Sequence, residues 1–382
     1  MSENLLFYLG IEFKNLREEK TDLSQVDFAK LLNISRSLVC KVEAGERKYN
    51  KELLQDIFVK LSLSDYDRLK FCLLSGFSFK LNNTDADCSN IIKLTIELKD
   101  KGLINFAKLL IKEALLVLEE SIDFYVLLST INLLEKNYHE SELNIKKALE
   151  LYNSSAKGIS TELEIYHNFG NVFFNESYDY ELKRVELIGK LVKEGLFNQD
   201  IFLNKDYIDL SSKINKLYNK AEKSFLLAYK ISPNDIRITI QMSRLYFNIA
   251  SLEPKNKMAV DRASKFLSKS LAFENINSED RLELTVLLSI IMAFNDNYEL
   301  GIIIINNILL FSPDNYLAYF AKSIIYSYKG KDNLELLNKA NYNLKKALSL
   351  YDGLKLQALG ELSFENIKRN DLTRKEFEEM VF

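Results

Sequence analysis

Apolar residues recur along the first seventy-five positions at the three- and four-residue spacing of one helical face, and predict five short amphipathic helices. The first runs from Leu5 to Lys20, with Leu9, Phe13 and Leu16 on one side. Ser24 is a natural N-cap for a second, Gln25 to Leu32, because its hydroxyl can accept from a free first-turn N–H. A tight connection, Asn33-Ile34, leads to Ser35, which can cap a third helix running to Ala44. Gly45 stands where a left-handed residue would end that helix. A fourth, Lys51 to Leu61, carries Leu53, Leu54, Ile57, Phe58 and Leu61 as its buried stripe, and a fifth runs from Asp65 to Ser75.

A segment rich in Asn, Asp and Ser, Lys80 to Ser89, reads as a boundary. Beyond it the pattern changes to a spaced trio: a small residue, a large apolar one four later, a small one three after that. Ala221, Phe225, Ala228 with Pro233 show it in full, and Gly301, Ile305, Ile308 with Pro313 show it with a larger third member. Ala107, Ile111, Ala114 are followed 34 residues later by Ser141, Ile145, Ala148; Ala263, Leu267, Ser270 and Ala340, Leu344, Ala347 extend the series. A preceding helix is marked by Leu128-Ser129, Phe169-Gly170, Met242-Ser243, Leu288-Ser289 and Phe320-Ala321. This pattern resembles degenerate tetratricopeptide (TPR) repeats over roughly residues 92–352. The resemblance implies about six helical hairpins stacked into a right-handed superhelix. A final helix with Leu372, Phe377 and Met380 is expected to cap the array or to meet a second subunit.

In the N-terminal part, two short helices joined by a few residues, the second opened by polar and basic side chains, read as a helix-turn-helix. The string Leu23-Ser24-Gln25, Phe28-Ala29, Leu32-Asn33-Ile34-Ser35-Arg36-Ser37, Val39 and Val42-Glu43-Ala44-Gly45-Glu46-Arg47 resembles the Cro/C1-type (XRE) family. Tyr49-Asn50 departs from it, since the family often has a Pro and a small polar residue there. The resemblance implies that Arg36 and Ser37 open the helix that enters the major groove, with Cys40 and Lys41 one turn on. It also places Gln25, Arg47 and Lys48 at phosphates. From Arg36 to Lys51 there are five cations and two anions, Glu43 and Glu46, so a local basic patch is expected. Leu38, Val39 and Val42 read as core.

Composition narrows the alternatives. Among 382 residues, 47% are hydrophobic and 27% charged, enough for a buried core and unlike a disordered chain. Only 3 Pro and 12 Gly argue against an all-β fold, which needs frequent turns. Net charge is −3, so any attraction to nucleic acid must be local. No run of apolar residues reaches the length of a membrane span; the most apolar stretch, Gly301 to Phe311, is short and holds two Asn. Cys40, Cys72 and Cys88, an odd and scattered set, read as free thiols in a reducing cytoplasm, and no export signal opens the chain. No P-loop, dinucleotide motif or nucleophile elbow occurs, and His139 and His167 are the only histidines. No enzyme, metal or cofactor is therefore expected.

The expected organisation is all-α: a helix-turn-helix domain over 1–75, a linker over 76–91, a TPR-like solenoid over 92–352, and C-terminal capping or dimerisation helices over 353–382. Such an architecture resembles the peptide-pheromone-responsive (RRNPP) regulators. That resemblance implies a homodimer on a double-stranded DNA operator and a short signalling peptide in the concave groove. Candidate groove residues, by spacing, are His167, Asn171 and Phe174 in one unit and Arg237, Arg244 and Phe247 in another. A docking scaffold for a protein partner, or an array that only dimerises, are the alternatives. Removal of 1–75 is expected to leave a folded helical array.

Overall fold

In a computed structural model of the chain, residues 3–77, 85–117, 120–155, 159–194, 196, 199–331 and 333–382 are described. All regular structure among them is helical. The chain forms two compact units, Met1–Ala156 and Lys157–Phe382.

The first unit opens with α1 (Glu3–Thr21), α2 (Gln25–Leu32), α3 (Arg36–Glu43), α4 (Lys51–Lys60) and α5 (Asp65–Ser75). Local chemistry sets these ends. The side chains of Ser24, Ser35, Asn50 and Ser64 each accept a hydrogen bond from the backbone N–H three residues on, satisfying a donor that the first turn leaves free. Asn33 closes α2 with φ 56°, and Gly45 follows α3 with φ 75°. Gly45 also needs its missing side chain: a Cβ there would lie 2.6 Å from Phe7 Cα, and one on Gly10 would lie 2.7 Å from the carbonyl oxygens of Val42 and Glu43. The two glycines thus let α1 and the end of α3 meet backbone to backbone. At the centre, Phe13 stacks on Phe71 at 4.4 Å and meets the edge of buried Tyr49 at 4.8 Å.

The unit continues through α6 (Asp85–Asp100), α7 (Ile104–Leu115), α8 (Ile122–Leu134) and α9 (Tyr138–Ser155). Here the expected linker over 76–91 needs correction: from Asp85 onward it is helix, and residues 78–84 lie outside the described ones. The expected domain boundary at 75 also differs from the structure. Ile91, Leu94 and Leu98 of α6 are fully buried in the same core as Leu9, Phe13 and Leu74, and that core runs on through Ile111 to Phe124 and Ile131. A polar cluster fastens the same seam. Lys70 of α5 pairs with Glu12 of α1 at 2.6 Å and with Glu97 of α6 at 2.5 Å. Tyr8 donates to Glu97 at 2.9 Å and Tyr66 donates to its other oxygen.

The second unit comprises α10 (Ile159–Lys193), α11 (Gln199–Leu203), α12 (Lys205–Ile231), α13 (Ile236–Leu252), α14 (Lys257–Leu271), α15 (Ser278–Phe294), α16 (Tyr298–Phe311), α17 (Tyr316–Lys329), α18 (Leu334–Leu350), α19 (Leu354–Gly360), α20 (Glu365–Arg369) and α21 (Asp371–Val381). Helices pack mainly in sequential pairs: α10 on α12, α13 on α14, α15 on α16, α17 on α18. In the first unit α6 packs on α7 and α8 on α9 in the same way. The small residues of the sequence pattern sit where paired helices cross. Ser129 and Ser141 bond to each other's hydroxyl and carbonyl at 2.7–2.9 Å, and the hydroxyls of Ser243 and Ser270 lie 2.9 Å apart. A Cβ on Gly301 would meet Ser289 O at 2.5 Å, and one on Gly170 would enter the Phe225 ring at 2.3 Å. Phe377 of α21 is buried as expected, while Leu372 is exposed.

Candidate functional site

Arg36 and Ser37 form the first turn of α3, and both are exposed. Their exposure follows from the helix register: Val39 and Val42 are fully buried, which turns positions 36, 37 and 41 outward. Lys41 and, in the turn after α3, Arg47 are exposed too. Among the described residues no side chain pairs with Arg36, Ser37, Lys41 or Arg47. The α3 N-terminus adds its own partial positive charge to this edge.

Three of the seven sequence candidates are engaged within the chain. Gln25 is half-buried: its amide nitrogen donates to Glu43 Oε2 at 2.8 Å, and its oxygen accepts from Cys40 Sγ at 3.0 Å. These bonds hold α2 against α3 and occupy both side chains within the unit. Lys48 donates to Ser75 O at 2.7 Å and lies over the Phe77 ring. Its ammonium is thereby tethered to the end of α5.

The residue that the sequence reading underrated is Glu43, counted there as one surface anion. Its side chain is 5% exposed and receives a two-pronged bond from Arg17, which is 7% exposed: Nε to Oε1 at 2.6 Å and a terminal nitrogen to Oε2 at 3.0 Å. The third Arg17 nitrogen donates to Leu23 O at 2.8 Å, so one guanidinium ties α1, the α1–α2 turn and α3 together. Hydrogen bonding to Glu43 holds the Arg17 guanidinium above its usual range against the opposing effect of burial. With Glu43 neutralised, the exposed charges from 36 to 51 are Arg36, Lys41, Arg47, Lys48 and Lys51 against Glu46 alone. The edge is more basic than a count of residues implies. Nothing local in the sequence signals this, since Arg17 and Glu43 are 26 residues apart.

In the second unit, a groove of about 380 Å³ is lined by His167 of α10, by Ile236, Arg237, Ile240, Gln241 and Arg244 of α13, and by Asn275, Ile276, Asn277 and Asp280. It gathers three of the six groove candidates. Asn171, Phe174 and Phe247 do not line it: Asn171 approaches His167 Nε2 at 3.4 Å, and Phe174 tilts against Tyr218. Both arginines are already paired. Arg237 bonds Asp235 at 2.8 Å and Glu164 at 2.9 Å, and Arg244 forks onto Glu283 at 2.6 and 2.9 Å while reaching Asp280 at 2.8 Å. Neither guanidinium is unpaired, and two ion-pair clusters stand at the groove. Burial, and then the nearby Arg237 cation, lower the His167 pKa against the opposing pull of Glu164 and Asp235. Sequence spacing missed Gln241 and the amides of Asn275 and Asn277, although Gln241 lies one turn from Arg237 on the same helix face.

Cys40, Cys72 and Cys88 form no disulfide. Among the described residues no group of three or more His, Cys, Asp or Glu is placed to hold a metal ion, and no helix is long and apolar enough to cross a membrane. No family model matches the chain, and no curated protein matches it. Among solved structures, the crystal structure of the TPR domain of P58(IPK) matches with 13% identity, covering 77% of this chain and 97% of that one at a TM-score of 0.22, a superposition too loose to build on.

Proposed function

We propose that the chain is a DNA-binding regulator, with α2 and α3 as a helix-turn-helix of the Cro/C1 type and the TPR-like helical pairs as its sensing part. One observation carries the reading: α3 presents Arg36, Ser37 and Lys41 outward with no partner among the described residues, while the anion beneath them, Glu43, is neutralised by Arg17. Arg36 suits bidentate contact with guanine O6 and N7, and Arg47 suits a phosphate. A single head of this size contacts few bases, so two copies on two half-sites are part of the proposal.

The groove beside α13 is the proposed seat of a short peptide. Gln241 and Asn275 offer both donors and acceptors to an extended backbone, whereas the Asn277 amide caps α15 and bonds Asp280. A terminal amine or carboxylate would compete for one member of the Arg244 cluster with Asp280 and Glu283. Binding shifts DNA affinity only by the difference in peptide affinity between two arrangements of the protein. A second reading, regulation by a docked protein partner without a peptide, is favoured by the same clusters, which leave no guanidinium in the groove unpaired.

Selection of duplexes from a random pool by the full chain tests the first step. Enrichment of one sequence, bound with an affinity that falls steeply with salt and is lost in Arg36→Ala at unchanged helix content, supports the reading. Equal affinity of wild type and Arg36→Ala for the enriched duplex refutes α3 as the reading helix. Calorimetry with short peptides encoded near the gene, repeated on Gln241→Ala, then separates the peptide reading from the docking one.

A further inference from the structure

Helix α16 buries less than its composition demands. Its sequence is the most apolar stretch of the chain, yet only Gly301 and Ile305 are buried. The equivalent second helices of the neighbouring pairs bury six residues in α14 and seven in α18. The unburied apolar residues are not scattered. At 100° per residue, Leu300, Ile303, Asn307, Leu310 and Phe311 fall in one stripe, opposite Gly301 and Ile305. The four apolar members are exposed: Leu300 39%, Ile303 54%, Leu310 75% and Phe311 89%.

The neighbouring pairs show what an outward helix face looks like when water covers it. Aligned on the small residues Ala263, Gly301 and Ala340, the position of Leu300 is Arg262 in α14 and Lys339 in α18. That of Asn307 is Lys269 and Lys346. Ile303 corresponds to Lys265 in α14. From Leu300 to Phe311, α16 carries no charged residue at all. At the positions of Leu300, Ile303 and Asn307 the two neighbours thus carry Arg or Lys in five of six cases, Tyr342 being the sixth, while the positions of Leu310 and Phe311 are uncharged in them too (Ala272 and Phe273, Ser349 and Leu350); the loss of those inner charges from α16 marks a contact surface.

We propose that this face pairs with the same face of a second copy of the chain, the two α16 helices lying antiparallel about Asn307. Three features select a second copy as the occupant. Area is the first: the four exposed side chains offer roughly 500 Å², and two copies together with the half-exposed Ile304 and Ile308 reach the order of 1,000 Å² at which specific interfaces begin. Second, a face without charge meets its own image with no like-charge penalty, whereas nothing on it would recognise a charged partner. Third, the one polar group on the stripe is an amide, which has both a donor and an acceptor and can bond its own image across a two-fold axis. A lone Asn in an apolar seam also fixes register, because any slip buries it unpaired. In this register Ile303 of one copy lies against Phe311 of the other, and Leu310 against Ile304.

This surface supplies the dimer that the proposed regulator needs, and rests on that reading only for its consequence on DNA; chain mass is measured without DNA. Sedimentation equilibrium of the full chain over micromolar concentrations is expected to give a closed dimer. Ile303→Glu and Phe311→Lys each place a charge in the seam and are expected to weaken association ~100-fold or more. Both positions are exposed, so the monomers should keep the wild type's helix content and cooperative melting, and should melt lower only by the concentration-dependent contribution of the lost dimer. Mixing the two variants sets the introduced carboxylate of one chain opposite the introduced ammonium of the other and should restore a mixed dimer. A wild type that stays monomeric, open-ended oligomers, a dimer indifferent to both substitutions, or a mixture that fails to associate would each overturn the proposal.

Discussion

Replacing Arg17 by Met tests whether the basic edge of α3 depends on a buried ion pair. The substitution keeps most of the aliphatic volume and removes every donor. Glu43, 5% exposed, then loses two of its three hydrogen bonds and keeps only the 2.8 Å bond from Gln25. Leu23 O loses its 2.8 Å donor as well. A buried carboxylate stripped of its cation costs ~3–5 kcal/mol. The surviving Gln25 bond and partial hydration of the carboxylate bring the expected loss to about 3 kcal/mol. For a unit of this size that corresponds to a melting shift of roughly 6–12 °C. Amide exchange across α2 and α3 should rise more than across α6 to α8, since the pair joins only the first three helices. The double variant Arg17→Met with Glu43→Met removes both charges and is expected to regain much of the loss, because no buried charge is left unpaired, although Leu23 O and the Gln25 amide each lose a partner. The assay is thermal and urea unfolding of the four chains of this cycle, read by circular dichroism. A loss under ~1 kcal/mol in the single variant, or a double variant as unstable as the two singles added, would show that the pair does not hold the helices together.

Further outcomes follow from other contacts. Arg47→Ala should reduce the salt dependence of duplex binding by about one phosphate contact, whereas Lys48→Ala, whose ammonium is held by Ser75 O, should lower the melting temperature and leave the salt slope nearly unchanged. Gly45→Ala forces a side chain onto a φ of 75° and against Phe7 Cα, and should cost ~2 kcal/mol or more in unfolding free energy. Burial alone would raise the Glu97 pKa, but the Lys70 ammonium and the hydroxyls of Tyr66 and Tyr8 hold it below the ordinary carboxylate range. Its stabilisation is therefore present above the unfolded carboxylate pKa and lost as pH falls through the folded one, so the stability gap between wild type and Glu97→Gln should be full at neutral pH and close below pH ~4. Deleting 1–75 should leave the first helices of the remainder molten and dye-binding, because Ile91, Leu94 and Leu98 lose their cover; a sharply melting product with native helix content would refute the shared core.

What was legible in the sequence was governed by neighbours a few residues away. The caps at Ser24 and Ser35, the left-handed Gly45 and the outward register of Arg36 all follow from local donors and from the buried Val39 and Val42. The small residues of the repeat pattern were legible for a related reason. Ser129 and Ser141 are twelve residues apart, and helix geometry alone brings them together. The segment around residue 85 misled because Asn, Asp and Ser are loop formers in isolation, yet Asp87 occupies the first turn of α6, where a carboxylate suits the helix dipole. The partners of charged residues were not legible. Arg17 and Glu43, or Arg244 and Glu283, are joined only by tertiary packing, so a charge count misjudged the basic edge and spacing could not show that the groove arginines are paired.

The least legible feature bears most on mechanism. Because α6, α7 and α8 share one core with α1 to α5, and Glu97 is fastened to Tyr8, Tyr66 and Lys70, α3 has no hinge immediately behind it at α6. A head that swings alone about residues 85–91 would have to expose Ile91, Leu94 and Leu98 and strip Glu97 of three partners. Each buried apolar side chain left in water costs ~1.5–3 kcal/mol, so the three together would consume most or all of the about 8 kcal/mol that a micromolar ligand supplies, before the partners of Glu97 are counted. A ligand that controls DNA binding through this chain must therefore carry α1 to α8 as one body. Amide exchange on α6 that stays slow with and without ligand would accord with that, and ligand-induced exposure of Ile91, Leu94 and Leu98 would contradict it.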